Sequence, residues 1–495
     1  MVEHNDEIGV SGSNKVLMSL EDEEAGAKDQ ERRLKRRRTC QLGYEQREGE
    51  QLIEPSKTRD KAATMLQISC LPIDVLYCVL DKLLELVDYV RFAAVCKELH
   101  FVAKYYNHTK QRWLSKPQLL PMLMLPTSES DNGSSSDPQT KQRPLYSVSE
   151  RKIYNNIKIG LSVPYNENFC GSSQGWLASA HKSIEEWQEK RKLKVIHEIT
   201  LRNPFGKASE AIHLPPYVHC IPTFYHHVKE WIPRVILSAN PALHPENYYV
   251  LLAFYRPLPN RIPRLGSDYS PPLALIKGGQ ESWITTNRLP VGLPDDAIFY
   301  KNNVYLLLER GYYNMVTVEV NSGNLLPPKV DYIRFKPRPT HIFPAHCWEQ
   351  YLVESTNEDL LLVRRFYAFN KTSFGVCKIV FNEEDDSNYE GTSTAQLVEV
   401  NCIGDDAIFL GQSQSQSVLA SSIPGCKPNC IYYATESVRR IESKCDYLRS
   451  EMGIFNLGDR TTTQLLDSDS INNWNWNKMN MPLWILPSLN VPLGS

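Results

Sequence analysis

Apolar residues recur at intervals of three and four between residues 66 and 113, the spacing that places one apolar stripe along a helix. Pro72 suits a first helical turn, and Asp74 would meet the positive end of the helix dipole. A second helix is predicted to start at Asp88, a favourable N-cap. A segment of about 45 residues buries too little surface to fold alone, so we expect its remaining apolar face to be an interface.

The pattern changes to short β-rich runs from residue 144, after a stretch at residues 128–137 whose Ser, Asp and Gly content predicts a flexible linker. Runs bounded by Gly, Pro, Asn and Asp predict an all-β sandwich, barrel or propeller. Within this β-rich region, residues 182–194 are the one segment predicted to be helical. The candidate strands lie at residues 175–178, 198–201, 248–253, 273–276, 303–308, 315–320, 360–363, 375–381 and 430–433.

An internal echo favours a repeated unit within the β-rich region. The sequence Asp-Asp-Ala-Ile-Phe at residues 295–299 recurs at residues 405–409, an offset of 110 positions. This offset is between two and three units of the ~40–50-residue period of propeller blades. Blades arranged in a ring also leave only short, protected sheet edges. We therefore predict a small all-α module followed by an all-β propeller of about six to eight blades. The predicted divisions are a disordered region at 1–64, the helical module at 65–115, a linker at 116–145 and the propeller at 146–490.

Composition restricts the partners and the compartment. A net charge of −2 and a pI near 6.7 argue against a chain-wide attraction to nucleic acid or to a membrane surface. The chain has no apolar N-terminal signal and no run of the ~20 apolar residues that a membrane helix needs. The 12 cysteines do not suggest a disulfide framework, and no two have the C-x-x-C spacing of a RING-type zinc site. We expect a protein of the nucleus and/or cytoplasm, with no nucleic-acid or membrane partner.

The first 64 residues are polar and carry opposite charges in blocks. They contain too little apolar surface to offset the chain entropy lost on folding, so we predict disorder. A basic run within them is typical either of a nuclear-import signal or of a solvated tail, and both interpretations stay open. Its residues are Arg32, Arg33, Lys35, Arg36, Arg37 and Arg38.

The sequence does not nominate an active site. Residues 411–415, Gly-Gln-Ser-Gln-Ser, lack the closing glycine of a nucleophile elbow, and no general base is marked beside them. Two histidine groups lack the spacing of a known metal site, so we interpret them as ordinary buried or surface side chains. These groups are His226-His227 and His341, His346 with Cys347. We expect no catalytic residue, no cofactor and no metal.

Paired carboxylates and large aromatic residues also have structural interpretations. Adjacent residues on a strand point to opposite faces, so neither the pair at 295–296 nor that at 405–406 forms an acid/base dyad by itself. We expect these aspartates to begin strands or to accept hydrogen bonds in turns. Trp176, Trp283 and Tyr432 are predicted to pack between blades instead of serving as ligand platforms.

The helical module resembles an F-box, the short domain that docks onto a Skp-type adaptor in cullin–RING ubiquitin ligases. The resemblance is carried by Leu71, Pro72, Asp74, Leu76, Leu83, Asp88, Phe92, Val95, Cys96 and Lys97. The chain has Glu98-Leu99 where the family usually has a Trp. The alternative is an amphipathic hairpin packed on the rest of the chain. The F-box resemblance implies that an apolar face binds the adaptor, through Leu71, Pro72, Val75, Leu76, Val79, Leu80 and Leu83.

The β-rich region resembles the plant KIB-type β-propeller family, in motifs that occur in the family's order. These motifs lie at residues 171–177, 201–205, 214–216, 408–411, 424–433, 452–457 and 484–487. The two resemblances together imply a flowering-plant F-box protein, the substrate-recognition subunit of an SCF-type ubiquitin ligase. Its partners would be the Skp-type adaptor, through it a cullin, and a target protein of unknown identity captured by the propeller.

Such a receptor is not itself an enzyme, because it acts by holding a target lysine near a charged conjugating enzyme. Two alternatives stay open. The propeller could occlude a partner, for example a kinase, without degradation. It could also be a lectin or a hydrolase, since propellers host both activities.

Overall fold

The described part of the chain consists of a helical segment and a ring of β-sheets. The computed structural model describes residues 71–83, 86–110, 121–126, 143–155, 167–187, 192–204, 211–222, 232–255, 273–286, 294–308, 314–320, 329–336, 347–368, 371–382, 392–438, 448–466 and 482–485. All of them belong to one compact unit, Leu71–Ser495. The predicted disorder at residues 1–64, the basic run at 32–38, the linker at 128–137, and the histidines His226, His227, His341 and His346 lie outside the described residues.

Three helices occupy the start of the described chain: α1 (Ile73–Lys82), α2 (Leu86–Ala94) and α3 (Lys97–Lys110). Pro72 precedes α1 as predicted, with Asp74 in the first turn and Lys82 in the last, the charge order that the helix dipole favours. The helix ends where Leu83 becomes extended. The second helix begins two residues before Asp88, the predicted start. No helix in the described ranges is long and apolar enough to cross a membrane.

The described residues form 26 strands. The first thirteen are β1 (Met122–Met124), β2 (Leu145–Ser147), β3 (Lys152–Tyr154), β4 (Phe169–Ser173), β5 (Trp176–Trp187), β6 (Lys192–Arg202), β7 (Ile212–His213), β8 (Tyr217–Pro222), β9 (Ile232–Leu237), β10 (Tyr249–Tyr255), β11 (Leu273–Lys277), β12 (Ile284–Thr286) and β13 (Pro294–Tyr300). The others are β14 (Asn303–Leu308), β15 (Met315–Glu319), β16 (Val330–Phe335), β17 (Cys347–Glu354), β18 (Leu360–Ala368), β19 (Lys371–Phe381), β20 (Thr392–Val400), β21 (Asp406–Gly411), β22 (Gln416–Leu419), β23 (Cys430–Val438), β24 (Leu448–Asn456), β25 (Thr462–Gln464) and β26 (Leu483–Ile485).

These strands form five sheets, and the largest divides into two four-stranded halves. The halves are joined by a parallel pairing of β16 with β20, in which Tyr332 lies opposite Thr392. With the halves counted separately, the described strands form six blades. Blade 1 contains β1–β3 and β26, blade 2 β4–β8, blade 3 β9–β12, blade 4 β13–β16, blade 5 β17–β20 and blade 6 β21–β25.

The apolar cores show that the six blades close into a ring. Each core is shared by two neighbouring blades, and the last core returns to blade 1. Strand β26 pairs with β1, with Trp484 opposite Leu123, so both ends of the described chain build that blade. Representative core pairs are Leu177 with Met122 (blades 2 and 1), Trp176 with Val250 (2 and 3), Leu251 with Ala297 (3 and 4), Leu307 with Leu362 (4 and 5), Val363 with Ile431 (5 and 6) and Phe409 with Trp484 (6 and 1). The fold is therefore propeller-like and all-β apart from the helices.

The predicted strands are confirmed, since each of the nine candidates coincides with or overlaps a strand. The helix predicted at residues 182–194 is wrong. Residues 182–187 lie on β5 and residues 192–194 on β6, and Glu185 lies opposite Lys194 and pairs with it at 2.9 Å. Glu and Lys are good helix formers, but pairing of β6 with both β5 and β8 overrides that preference.

Six blades lie within the predicted range, but the predicted 40–50-residue period is too short. Blades 2 to 6 begin at Phe169, Ile232, Pro294, Cys347 and Asp406, so neighbours start 53 to 63 residues apart. The echo at residues 295–299 and 405–409 thus spans two blades. Its copies are not equivalent, because β13 is an edge strand of its sheet whereas β21 lies one strand inward, next to β22.

Candidate functional site

The helical module, defined here as residues 71–110, has one face buried against the propeller. Leu80, Tyr89 and Tyr106 are completely buried, and they share a core with Met122 of blade 1 and Phe169 of blade 2. The helices are also joined to each other, because Tyr89 donates a hydrogen bond to the Ala103 carbonyl. This contact matches the alternative of an amphipathic hairpin that packs on the rest of the chain.

An exposed ionic cluster fixes the module to blade 1. The Arg91 guanidinium lies 2.6 Å from Glu150 and 3.0 Å from Asp88, and it donates to the Tyr154 hydroxyl at 3.1 Å. A hydrogen bond from Arg91 and, to a smaller extent, one from Tyr154 lower the pKa of Glu150. Burial and the hydrogen bond to Glu150 raise the pKa of Tyr154 to about 12. The arrangement orients α2 on the blade, although exposed ion pairs contribute little stability.

The seven residues predicted to bind an adaptor fall on two sides of α1. Leu76 and Leu80 are buried, at 6% and 0% exposure, and Leu83 is half-buried against the same core. Leu71, Pro72, Val75 and Val79 are exposed. On a helix, side chains three or four positions apart share a face. The buried residues and the exposed residues of α1 both follow this spacing, so the sequence pattern treated two neighbouring stripes as one. Only the exposed stripe is accessible to another protein while the module stays packed on the propeller.

Further exposed apolar side chains extend the accessible surface of the module. Phe101 and Tyr105, one turn apart on α3, are 63% and 60% exposed, and Ile73 on α1 is 48% exposed. Helix α1 contacts α3, since the Tyr77 and Tyr106 rings lie 5.1 Å apart. The sequence pattern missed Phe101 and Tyr105, because they fall between the core positions of α3. We call Leu71, Pro72, Ile73, Val75, Val79, Phe101 and Tyr105 the outer residues of the module.

Strand and loop residues from four blades, most of them polar, line a pocket of about 400 Å³. Blade 2 contributes Gln174, from the turn between β4 and β5, and blade 4 contributes Ile298. The other lining residues are Glu354, Ser355 and Thr356 of blade 5 and Gln414, Ser415, Gln416, Ser417 and Val418 of blade 6. We call this the axial pocket, because its residues converge from blades around the ring.

The segment at residues 411–415 closes the ring beside this pocket. The Gln414 N–H donates to the Ser172 carbonyl at 3.0 Å, and the Ser173 hydroxyl donates to the Gln414 side chain. The Ser413 hydroxyl accepts the Trp484 N–H at 3.1 Å. This segment of blade 6 therefore contacts blades 1 and 2. In the structure this segment connects three blades.

The paired aspartates connect neighbouring strands and turns, as predicted. Asp295 accepts a hydrogen bond from the Gln350 side chain at 2.8 Å, and Asp296 accepts the Leu352 N–H at 2.7 Å. Asp405 accepts the Ser421 N–H at 3.1 Å, and Asp406 accepts the Thr356 N–H at 3.1 Å. Each of these carboxylates therefore has a hydrogen-bond partner on a neighbouring strand or turn.

The three aromatic residues singled out in the sequence pack between blades, as predicted. Trp176 is 4% exposed and donates to Asn240 at 2.9 Å, while Trp283 packs at the edge of the same core and donates to the Pro215 carbonyl. Tyr432 is fully buried and stacks on Phe409, with ring centroids 4.7 Å apart.

Two histidines that the sequence did not mark are stacked inside blade 2. The rings of His197 and His219 lie 5.4 Å apart and nearly parallel, and both contact Phe254 of blade 3. Burial lowers the pKa of His197 to about 3 and that of His219 to about 4, so both rings are neutral at physiological pH. Within the residues that the structure describes, no three His, Cys, Asp or Glu side chains are grouped as metal ligands.

The comparison with protein families decides the identity of the β-rich region. The family model of the KIB1-4 beta-propeller matches residues 145–456, well over half of the chain. The chain belongs to the KIB1-4 beta-propeller family. The match begins at β2 and ends at β24 of the KIB1-4 propeller, so the helical module lies outside it. A β-propeller domain of this kind indicates a role in protein–protein interaction.

Other comparisons add little to the KIB1-4 assignment. Among solved structures, a quinonprotein alcohol dehydrogenase-like protein from Bacteroides thetaiotaomicron VPI-5482 is similar at 11% identity and a TM-score of 0.25. The likeness covers 66% of this chain and 76% of that chain. A search of curated proteins finds no match.

Proposed function

We propose that this KIB1-4 chain is the substrate-recognition subunit of an SCF-type ubiquitin ligase. The main support for this proposal is the arrangement of α1, which has an F-box-like sequence. Its opposite side is packed on the propeller. The apolar residues that remain exposed on and just before α1 include Leu71, Pro72, Val75 and Val79. Exposed apolar side chains on an anchored helix suit a permanent partner, here the Skp-type adaptor. The propeller then captures the target protein.

In this proposal the chain supplies no catalytic group. It holds the target near a conjugating enzyme that arrives through the adaptor and a cullin, and the resulting effective concentration accelerates ubiquitin transfer. The protein functions in the nucleus and/or cytoplasm, where the ligase components are found. The plant origin implied by the motif resemblance is part of the same proposal.

An adaptor pull-down tests the proposal with full-length chain. Val75→Asp places a charge on the exposed stripe, in the first turn of α1, where the helix dipole tolerates an acid. Val398→Asp is the matched control, because Val398 is similarly exposed, at 49% against 43%, but lies on β20. We expect the first variant to lose the adaptor and the control to retain it. Equal recovery by Val75→Asp and wild type would refute the proposal. Leu76→Asp is unsuitable, because a buried charge would unfold the module.

A second candidate function, binding a partner without degradation, is favoured by the burial of Leu76 and Leu80. Their burial leaves fewer of the F-box-like apolar positions accessible to an adaptor. In that case the propeller alone would occlude its partner. Blocking the proteasome separates the two functions: the level of a captured target rises if the chain is a ligase receptor and does not change if the chain only occludes.

A further inference from the structure

We infer that the axial pocket binds a primary ammonium group. The group would come from a lysine side chain of a captured protein, a source that rests on the proposed function, or from a free polyamine. The pocket lies where residues of blades 2, 4, 5 and 6 meet, so a protruding side chain or a small molecule could contact four blades at once. Ligand pockets are concave sites in which a few polar groups fix the orientation of the ligand.

The charge of the residues that line the pocket indicates the class of ligand. Among the described residues that line the pocket, Glu354 is the one charged residue, and there is no Lys, Arg or His. Without a cation in the lining, a phosphate or carboxylate ligand would not be compensated. Desolvation, together with nearby Glu358, raises the pKa of Glu354, against an opposing effect of Lys301. Glu354 is an exposed residue at the pocket, so its carboxylate is accessible to a bound ammonium.

The uncharged lining supplies the remaining acceptors. Three glutamines, three serines and a threonine line the pocket, and their amide and hydroxyl oxygens can accept the N–H bonds of an ammonium, except the Ser355 hydroxyl, which already accepts two backbone N–H groups. The described lining contains no aromatic ring on which a sugar would stack, and two apolar side chains, Ile298 and Val418, are too few for an apolar ligand. An ammonium fits this chemistry better than an anion, a sugar or a hydrocarbon.

Ser415 provides a second, independent indication of a ligand. The residue is buried, with 4% of its surface exposed, it lies in the wall of the pocket, and its hydroxyl is buried without a hydrogen-bond partner from the described chain. Buried hydroxyl groups in native proteins are normally hydrogen-bonded, so this one calls for a partner that the chain does not supply. A rotation of the Ser415 side chain toward the pocket would let its hydroxyl accept a hydrogen bond from a bound ammonium.

The lining is held in place before any ligand arrives. Asp406 accepts hydrogen bonds from the Thr356 N–H at 3.1 Å and from the Ser417 hydroxyl at 2.9 Å, which ties the blade 5 and blade 6 walls together. Gln414 is fixed to blade 2 through Ser172 and Ser173. A site organised in this way loses little conformational entropy on binding.

Ligand-observed saturation-transfer NMR with the full chain tests the inference. The probes are spermidine, Nα-acetyl-lysine methylamide and, as a neutral control of similar shape, Nα-acetyl-norleucine methylamide. We expect transfer to at least one amine and none to the norleucine compound. Glu354→Gln should weaken amine binding by about tenfold or more, because a charge-assisted contact is lost. Glu399→Gln, the same substitution at an exposed position on β20, should leave binding unchanged.

Ser415→Ala separates a ligand contact from a structural role. Because its hydroxyl has no partner in the structure, the variant should melt no lower than wild type and yet bind amines more weakly. Transfer to spermidine alone would identify a free polyamine, and transfer to the lysine compound would identify a protein side chain. Equal binding of the amines and norleucine, no amine binding, or undiminished binding by Glu354→Gln would overturn the inference. None of these results affects adaptor capture by the helical module, so the two proposals fail separately.

Discussion

The Arg234 guanidinium lies 2.8 Å from the Asp296 carboxylate, with both side chains buried between blades 3 and 4. Asp296 also accepts the Leu352 N–H of blade 5 at 2.7 Å, and Arg234 donates to the Ser413 carbonyl of blade 6 at 2.7 Å. Burial raises the pKa of Asp296, and Arg234 opposes that effect. This pair therefore joins four of the six blades, and its removal should loosen the ring.

Asp296→Asn should destabilise the propeller by about 3 kcal/mol or more, because it deprives the buried Arg234 of its carboxylate. The measurement is the free energy of unfolding in urea. Asp295→Asn, at the adjacent position, is the control. Asp295 is half-buried, whereas Asp296 is fully buried, and it accepts a hydrogen bond from the Gln350 side chain, so we expect a loss of about 1 kcal/mol, smaller than that of Asp296→Asn. Equal losses in the two variants would contradict the central role of the Arg234–Asp296 pair.

The closing strand provides a second stability prediction. Trp484 is 2% exposed, packs edge-on against Phe409 at 5.0 Å and donates to the Leu410 carbonyl at 2.9 Å. Trp484→Ala should cost about 3–5 kcal/mol, as do other large-to-small core substitutions. Trp484→Phe keeps an aromatic ring but loses the hydrogen bond to Leu410. We expect it to lower the free energy of unfolding in urea by less than Trp484→Ala does, and the comparison of the two variants should separate packing from hydrogen bonding. A mild effect of the alanine variant would show that β26 is not needed to close the ring.

The stacked histidines predict acid sensitivity. His197 and His219 have folded-state pKa values of about 3 and about 4, below the ordinary 6.5, so the unfolded chain binds more protons as the pH falls below 6.5. Stability should therefore be lost as the pH falls from 6.5 to about 4 for His219 and to about 3 for His197, by about 2 kcal/mol per histidine at pH 5. Lys182 adds to the effect, because its charge further lowers both pKa values.

Urea unfolding at pH 7 and pH 5 measures this sensitivity. A variant with His197→Phe and His219→Phe should show a much smaller difference between the two pH values than wild type. His244→Gln, which changes an exposed histidine, should behave as wild type does. A wild-type chain equally stable at both pH values would contradict the burial of neutral imidazoles.

The sequence predicted the β-rich class, the start of α1 and the packing role of Trp176 and Tyr432, because these depend on local alternation, turn residues and side-chain size. It did not separate Val75 from Leu76, since neighbouring stripes of one helix differ only in what packs on them. It assigned residues 182–194 to a helix, because pairing with β8 is a non-local contact that composition does not encode. It also gave no sign that Ser415 would be buried at the meeting point of four blades.

The account as a whole depends on whether the outer residues of the helical module bind an adaptor. The direct measurement is isothermal titration of a Skp-type adaptor into the full-length chain, with Val75→Asp and Val398→Asp titrated in parallel. We predict a one-to-one binding isotherm for wild type and for Val398→Asp, and none for Val75→Asp. No binding to wild type, or unchanged binding to Val75→Asp, would contradict the account.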